Sequence, residues 1–128
     1  AETRRRIILG TYVLSAGYYD AYYRRATLLR AELVKEFDAV FKDISYIATP
    51  TAPGPAFKIG EKQDPLSLYL EDIFTVSANL AGVPAISAPF GTVERDGIAL
   101  PVGVQFMAQK RGEQALFQIA RDLMGEKE

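Results

Sequence analysis

The feature that most constrains this chain is an apolar stripe that looks too long for it. Tyr22, Ala26, Leu29, Leu33, Phe37, Val40 and Ile44 recur at spacings of four and three residues, the period of one buried helix face. A helix over that span runs about 25 residues, and at about 1.5 Å per residue it reaches roughly 40 Å. That exceeds the width of a compact domain of 128 residues. Part of the stripe is therefore expected to pack on protein outside this sequence.

The remaining segments read as an α/β arrangement in the order α-α-β-loop-α-β-β-α. A first helix over about Thr3 to Leu14 carries Ile7, Ile8 and Leu14, with a break at Gly17. Ser45 to Thr49 is a β-prone run, stopped by the prolines of Pro50-Thr51-Ala52-Pro53-Gly54-Pro55. Asp64-Pro65 offers an N-cap and a first-turn proline for a helix whose apolar positions Leu66, Tyr69, Leu70, Ile73 and Leu80 continue to Gly82 and Pro84. Ala85 to Phe90 is a small-residue strand, and Asp96-Gly97 is a turn. Val102, Val104, Phe106 and Ala108 then alternate with Gly103, Gln105 and Met107 as in a half-buried strand. A final helix from about Glu113 gathers Leu116, Ile119, Ala120 and Leu123 before Gly125. About three strands are fewer than an average sheet contains, so the sheet is expected to be part of a larger mixed one with flanking helices.

Hydrophobic residues at 48% and charged residues at 24% are globular values. Fifteen basic against 16 acidic residues give a net charge of −1, which supplies no general attraction for a phosphate backbone. No apolar run is long enough to span a bilayer and no signal-peptide pattern opens the chain, so the expected location is the cytoplasm. The chain starts at Ala1 without methionine and continues into Arg4-Arg5-Arg6, cations that a helix N-terminus disfavours, which points to a segment of a longer protein.

The absence of cysteine and histidine excludes disulfides, Cys/His zinc sites, Cys–His nucleophiles and Ser–His–Asp triads. Ser15, Ser45, Ser67, Ser77 and Ser87 have no glycine-flanked elbow to activate them, so no catalytic residue is assigned. Two charged residues are candidates for binding. The guanidinium of Arg6 suits a carboxylate held by two parallel hydrogen bonds, although a solvated or ion-paired helix arginine satisfies the same sequence. Asp72 has Leu68 and Val76 four residues to either side, and a carboxylate on a partly apolar face needs a partner, either a substrate ammonium or an intramolecular cation. Tyr18, Tyr19, Tyr22 and Tyr23 read as core or interface packing before base stacking. Asn79 and Gln105, polar groups in apolar settings, are expected to bond neighbouring backbone.

Several runs carry a resemblance. Arg5-Arg6-Ile7-Ile8-Leu9-Gly10-Thr11-Tyr12-Val13-Leu14-Ser15-Ala16-Gly17-Tyr18-Tyr19-Asp20-Ala21-Tyr22-Tyr23 is followed by Ala48-Thr49-Pro50-Thr51-Ala52-Pro53 and by Asp64-Pro65-Leu66 with Tyr69 and Asp72. Asn79-Leu80-Ala81-Gly82-Val83-Pro84-Ala85-Ile86-Ser87 and Leu100-Pro101-Val102-Gly103-Val104-Gln105-Phe106 complete the set. Together they resemble the amidase-signature family, in its tRNA-dependent amidotransferase branch, over nearly the whole chain. Phe90 stands where many relatives have cysteine and Ala88 where they often have valine, both away from the matched ligand positions.

The resemblance implies that residues 1–128 are the C-terminal portion of a single amidase domain whose N-terminal portion is absent. That portion would carry the serine nucleophile, a second serine in a cis peptide and a lysine base, so this segment alone is expected to be inactive. It further implies that Arg6 grips the α-carboxylate of glutamine and Asp72 its α-amino group. The parent enzyme would hydrolyse glutamine through an acyl-enzyme and release ammonia. Partner B and C subunits would use that ammonia, with ATP and Mg²⁺, to convert Glu-tRNA(Gln) to Gln-tRNA(Gln). No cofactor is expected in this chain and no membrane is involved. Two other readings remain open: a fragment of another amide hydrolase of the family, which would not need the Arg6/Asp72 pair for a neutral amide, and a non-enzymatic helical interaction module.

Overall fold

The computed structural model describes residues 2–15, 17–61 and 64–125. Helix α1 spans Glu2–Val13, and a turn with Gly17 at φ 86° leads to a π-helical segment, Tyr19–Arg24, continuous with α2, Arg25–Val40. The expected long helix therefore exists, but its first six residues close i→i+5 rings. Each such ring holds one residue more than an α turn, which rotates the residues before it by roughly 100° about the axis. The stripe consequently does not stay on one face. Only its later part, Leu33 and Phe37, is half-buried, joined by Val34 and by Phe41 just past the helix end.

Strand β1, Tyr46–Pro50, forms where its β-prone run predicts and ends at Pro50, a position open to proline because β1 is an edge strand. The helix read from Asp64 to Gly82 is in fact two. Asp64 caps α3, Pro65–Leu70, accepting hydrogen bonds from the Leu66 and Ser67 amides at 3.3 and 2.8 Å. The chain then turns through residues 71–75 before α4, Val76–Ala81, which Gly82 closes. Ile73, Thr75 and Val76 are β-branched and disfavour a helix interior. The Phe74 carbonyl is moreover drawn sideways to the Gln105 amide at 2.8 Å. Arg30 of α2 donates to the Leu80 carbonyl at 2.7 Å, satisfying the end of α4.

Strand β2 spans Ala85–Arg95 and β3 Ile98–Ala108, joined by Asp96 (φ 53°) and Gly97 (φ 75°) in the two-residue turn that matches strand twist. Both strands are longer than expected. The run Pro89-Phe90-Gly91 reads as a strand end, but it is a bulge that leaves Phe90 unpaired while pairing resumes from Gly91 to Arg95. The sheet order is β1-β3-β2, and both pairings are antiparallel.

The sheet is covered on both sides, so β3 buries residues of both faces instead of one. Met107, level with Ile47 of β1 and Ala85 of β2, meets Ala78, Ala81 and Val83, with Phe37, Phe41 and Ile47 packed around them. The opposite side carries Ala88, Val104, Phe106 and Ala108. There α5, Glu113–Met124, packs on β2 and β3 through its buried Leu116 and Ala120. Gln105 and Met107 are thus buried together with Ala108, while Val102, Val104 and Phe106 are half-buried. Lys110 pairs with Asp38 at 2.8 Å, tying α2 to the β3–α5 turn.

The core is made of small residues, and much apolar surface lies outside it. Ile7, Ile8 and Leu9 are consecutive and so wrap around α1 instead of sharing a face; they are 66%, 60% and 56% exposed. The second half of α1 thus presents apolar side chains on more than one face, a pattern that calls for cover by neighbouring protein. The chain exposes 9728 Å², whereas a folded monomer of its mass exposes about 6,700 Å². The excess, roughly 3,000 Å², is as large as an obligate protein interface.

Candidate substrate-binding site

Arg6 and Asp72 lie on different elements, linked through Tyr69. On α1, Glu2 accepts from Arg6 Nε at 2.9 Å and from Arg5 at 2.6 Å, the i to i+4 and i+3 neighbours that a helix brings together. Across the gap to α3, the Tyr69 hydroxyl accepts from Arg5 at 2.7 Å and lies 3.3 Å from Glu2 Oε1. The Arg6 guanidinium carbon stands 5.2 Å from the centre of the Tyr69 ring, within cation–π range. The Arg6 hydrogen bond holds the Glu2 carboxyl below its ordinary range, reinforced by Arg5 and Tyr69, and Glu2 in turn raises Arg5. The ion-paired reading of Arg6 is therefore realised, but through Nε alone. Its two terminal nitrogens make no hydrogen bond among the described residues.

Asp72 sits in the break between α3 and α4, not in the helix interior that its spacing from Leu68 and Val76 suggested. Its amide donates to the Tyr69 carbonyl at 3.2 Å, and its carbonyl accepts from the Thr75 and Val76 amides at 3.0 and 2.9 Å. The side chain is exposed, and among the described residues the carboxylate has no hydrogen bond or ion pair. The intramolecular salt bridge expected as the alternative is absent there. Arg6 and Asp72 do not touch. Tyr69 joins them, one turn before Asp72 in the chain and with its ring against Arg6.

A second polar group was not assembled from the sequence. The buried Gln105, 4% exposed, donates from Nε2 to Thr49 Oγ1 at 3.1 Å and to the Phe74 carbonyl at 2.8 Å. One register step along, Thr51 and Ser87 share a hydrogen bond of 2.6 Å above Gly103. A Cβ on Gly103 would come within 2.7 Å of Ser87 Oγ and 2.9 Å of Thr51 Oγ1, so glycine is required by close approach. This end of the sheet opens into a cleft of about 1020 Å³ between the Pro50–Pro55 loop and β2, with Phe90 and Arg95 on its wall. Arg95 is ion-paired to Glu61 and donates to the Ala56 carbonyl at 3.5 Å. No residue of α1 or α3 lines the cleft. The polarity of Gln105 was legible, but its backbone acceptor, Phe74, lies 31 residues away, unlike the neighbouring acceptor of Asn79, the Thr75 carbonyl at 2.9 Å. Thr49, Thr51 and Ser87 join only through strand register, which the sequence does not display.

The tyrosines stack in two helical pairs, Tyr18 with Tyr22 at 5.9 Å and Tyr19 with Tyr23 at 5.1 Å, and they are exposed, not in the core. Among the described residues no group of acidic side chains could hold a metal ion, and no helix is long and apolar enough to cross a membrane.

With a helix-flanked sheet and a cationic α1 joined to α3 through Tyr69, the chain belongs to the Amidase family, whose model matches residues 1–117. Within that family it is similar to the A subunit of the glutamyl-tRNA(Gln) amidotransferase from Thermodesulfovibrio yellowstonii, 54% identical over 120 residues. That alignment covers 93% of this chain and 24% of the relative. The crystal structure of the corresponding protein from Thermotoga maritima superposes with a TM-score of 0.75 at 50% identity, over 94% of this chain and 26% of that one. An allophanate hydrolase from Kluyveromyces lactis gives a TM-score of 0.71 at 25% identity, covering 97% of this chain and 19% of that one. The chain thus spans about a quarter of the length of the curated relatives it matches.

Proposed function

We propose that this sequence is the C-terminal, substrate-holding portion of a glutamine-hydrolysing amidotransferase A subunit. The observation that carries the reading is the pair of charges linked by Tyr69: among the described residues, Arg6, against the Tyr69 ring, leaves its terminal nitrogens without a hydrogen bond, and the carboxylate of Asp72, one turn after Tyr69, has no partner. A free amino acid presents the complementary charges. Arg6 would take the α-carboxylate with two parallel hydrogen bonds, and Asp72 the α-ammonium, leaving the side-chain amide to point away toward the nucleophile. Similarity to A subunits over 93% of the chain supports the same assignment.

In this proposal the serine nucleophile, its partner serine and the lysine base lie outside these 128 residues. This segment by itself then binds or scaffolds without turning over. The ammonia released would pass to B and C partner subunits that hold ATP and Mg²⁺ and act on Glu-tRNA(Gln) in the cytoplasm. The roughly 3,000 Å² of excess surface supports a segment built to be covered by the rest of such an assembly.

Glutaminase kinetics test it. In a full-length A subunit carrying this sequence, Arg6→Ala and Asp72→Ala are each expected to lower kcat/KM for glutamine by roughly 30-fold or more, the cost of stripping a partner from a desolvated charge. Hydrolysis of a simple neutral amide should change far less. Unchanged glutamine kinetics in both variants would remove the assignment.

A further inference from the structure

We infer that Gln105 is a positioning residue for the Asp72 turn, setting substrate affinity from the sheet without touching substrate. The inference rests on the reading of Asp72 as a substrate ligand. A carbonyl can only accept, so the bond to Phe74 fixes the Gln105 amide nitrogen toward the helix layer, and the bond to Thr49 Oγ1 fixes it from the sheet side. Gln105 therefore fastens the α3–α4 break to the central strand two residues beyond Asp72.

The break depends on that tie. Residues 71–75 form no regular helix, and the Asp72 carbonyl is the hub of the turn, accepting from Thr75 and Val76. The Asp72 carboxylate has no partner among the described residues to fix its position. What locates it is the backbone on either side: the Asp72 amide bonded back to Tyr69, and the Phe74 carbonyl held by Gln105. Losing the second anchor frees one side of the turn. A buried polar group is also a costly way to fill a core position, and an apolar side chain would serve packing as well. The hydrogen bonds are what Gln105 adds.

The test separates positioning from stability. In a full-length A subunit carrying this sequence and assembled with its partner subunits, Gln105→Met keeps the volume and removes the donor. It is expected to raise KM for glutamine roughly tenfold while kcat stays within about threefold. Met107→Ala, a cavity on the same strand and face, should lower stability at least as much and leave KM within about twofold. Equal KM changes in the two variants would make Gln105 an ordinary core residue and overturn the inference. If Asp72→Asn raises KM and Gln105→Met does not, the inference falls and the reading of Asp72 survives; if neither raises it, both fall. Should Gln105→Met not fold, Gln105→Glu gives a second route. Its carboxylate opposes the Phe74 carbonyl, and its protonated form restores a donor. KM in that variant should fall toward wild type between about pH 8 and about pH 6, against a flat wild-type profile. A KM equal to wild type throughout that range would contradict the proposal.

Discussion

The two halves of this molecule use apolar residues in opposite ways. The N-terminal arm, α1 with the π-helical segment and α2, contains no buried residue. The sheet with α4 and α5 holds Ala78, Ala81, Ala88, Met107, Ala108, Leu116 and Ala120, each at 4% exposure or less. Both regions have apolar residues at regular spacing. The difference is that the sheet region builds a small buried core within the chain, with Phe37 of α2 packed against it, whereas the arm presents Ile7, Ile8, Leu9, Leu28 and Leu29 to the outside. Amphipathic spacing reports that a surface is meant to be covered and does not say by what.

Core truncations should expose the contrast most sharply. In the 128-residue chain, Leu116→Ala or Met107→Ala is expected to cost about 2–5 kcal/mol by urea unfolding, and Leu29→Ala less than about 0.5 kcal/mol. Comparable losses at both places would mean that the arm carries a core of its own. A smaller effect probes the sheet's tight end: Gly103→Ala is expected to cost about 1–3 kcal/mol by crowding the Thr51–Ser87 pair, with part recovered when Ser87→Ala is added. No recovery would place the strain elsewhere.

The smallest effect tests the arm's attachment to α3. Glu2 is held below its ordinary carboxyl value of 4.5 chiefly by Arg6 and then Arg5. A depressed folded-state pKa contributes stability that is whole above the ordinary value and is lost as the pH falls through the depressed one. Asp64, below its ordinary 3.8 through the Ser67 hydroxyl and amide, behaves alike. Wild type should therefore lose stability on acidification from about pH 7 to about pH 3 more steeply than Glu2→Gln, the two curves meeting at the acid end. Parallel curves would show that the Glu2–Arg5–Arg6–Tyr69 cluster is not linked to folding.

Much of this was legible in the residues. Asp64-Pro65, Asp96-Gly97 and Gly82 each specify one local geometry, and each is found where its chemistry put it. Elements whose form depends on distant partners were not. The α3–α4 break needs Gln105, 31 residues away, to hold the Phe74 carbonyl; the bulge at Phe90 is visible only once β2 and β3 are in register. The π-helical segment shows no local signal and shifts the stripe that α spacing predicted. The candidate site divides in the same way. Arg6 and Asp72 stand out by charge and setting, but Tyr69 as the link between them appears only when α1 lies against α3.

The central claim is that the arm's apolar surface is covered by the remainder of a full-length Amidase-family chain, and hydrogen exchange tests it directly. Amides of residues 2–15 and 17–32 should exchange rapidly in the 128-residue chain and be strongly protected in a full-length protein carrying the same sequence, while β3 is protected in both. Equal protection of the arm in the two proteins would contradict the account.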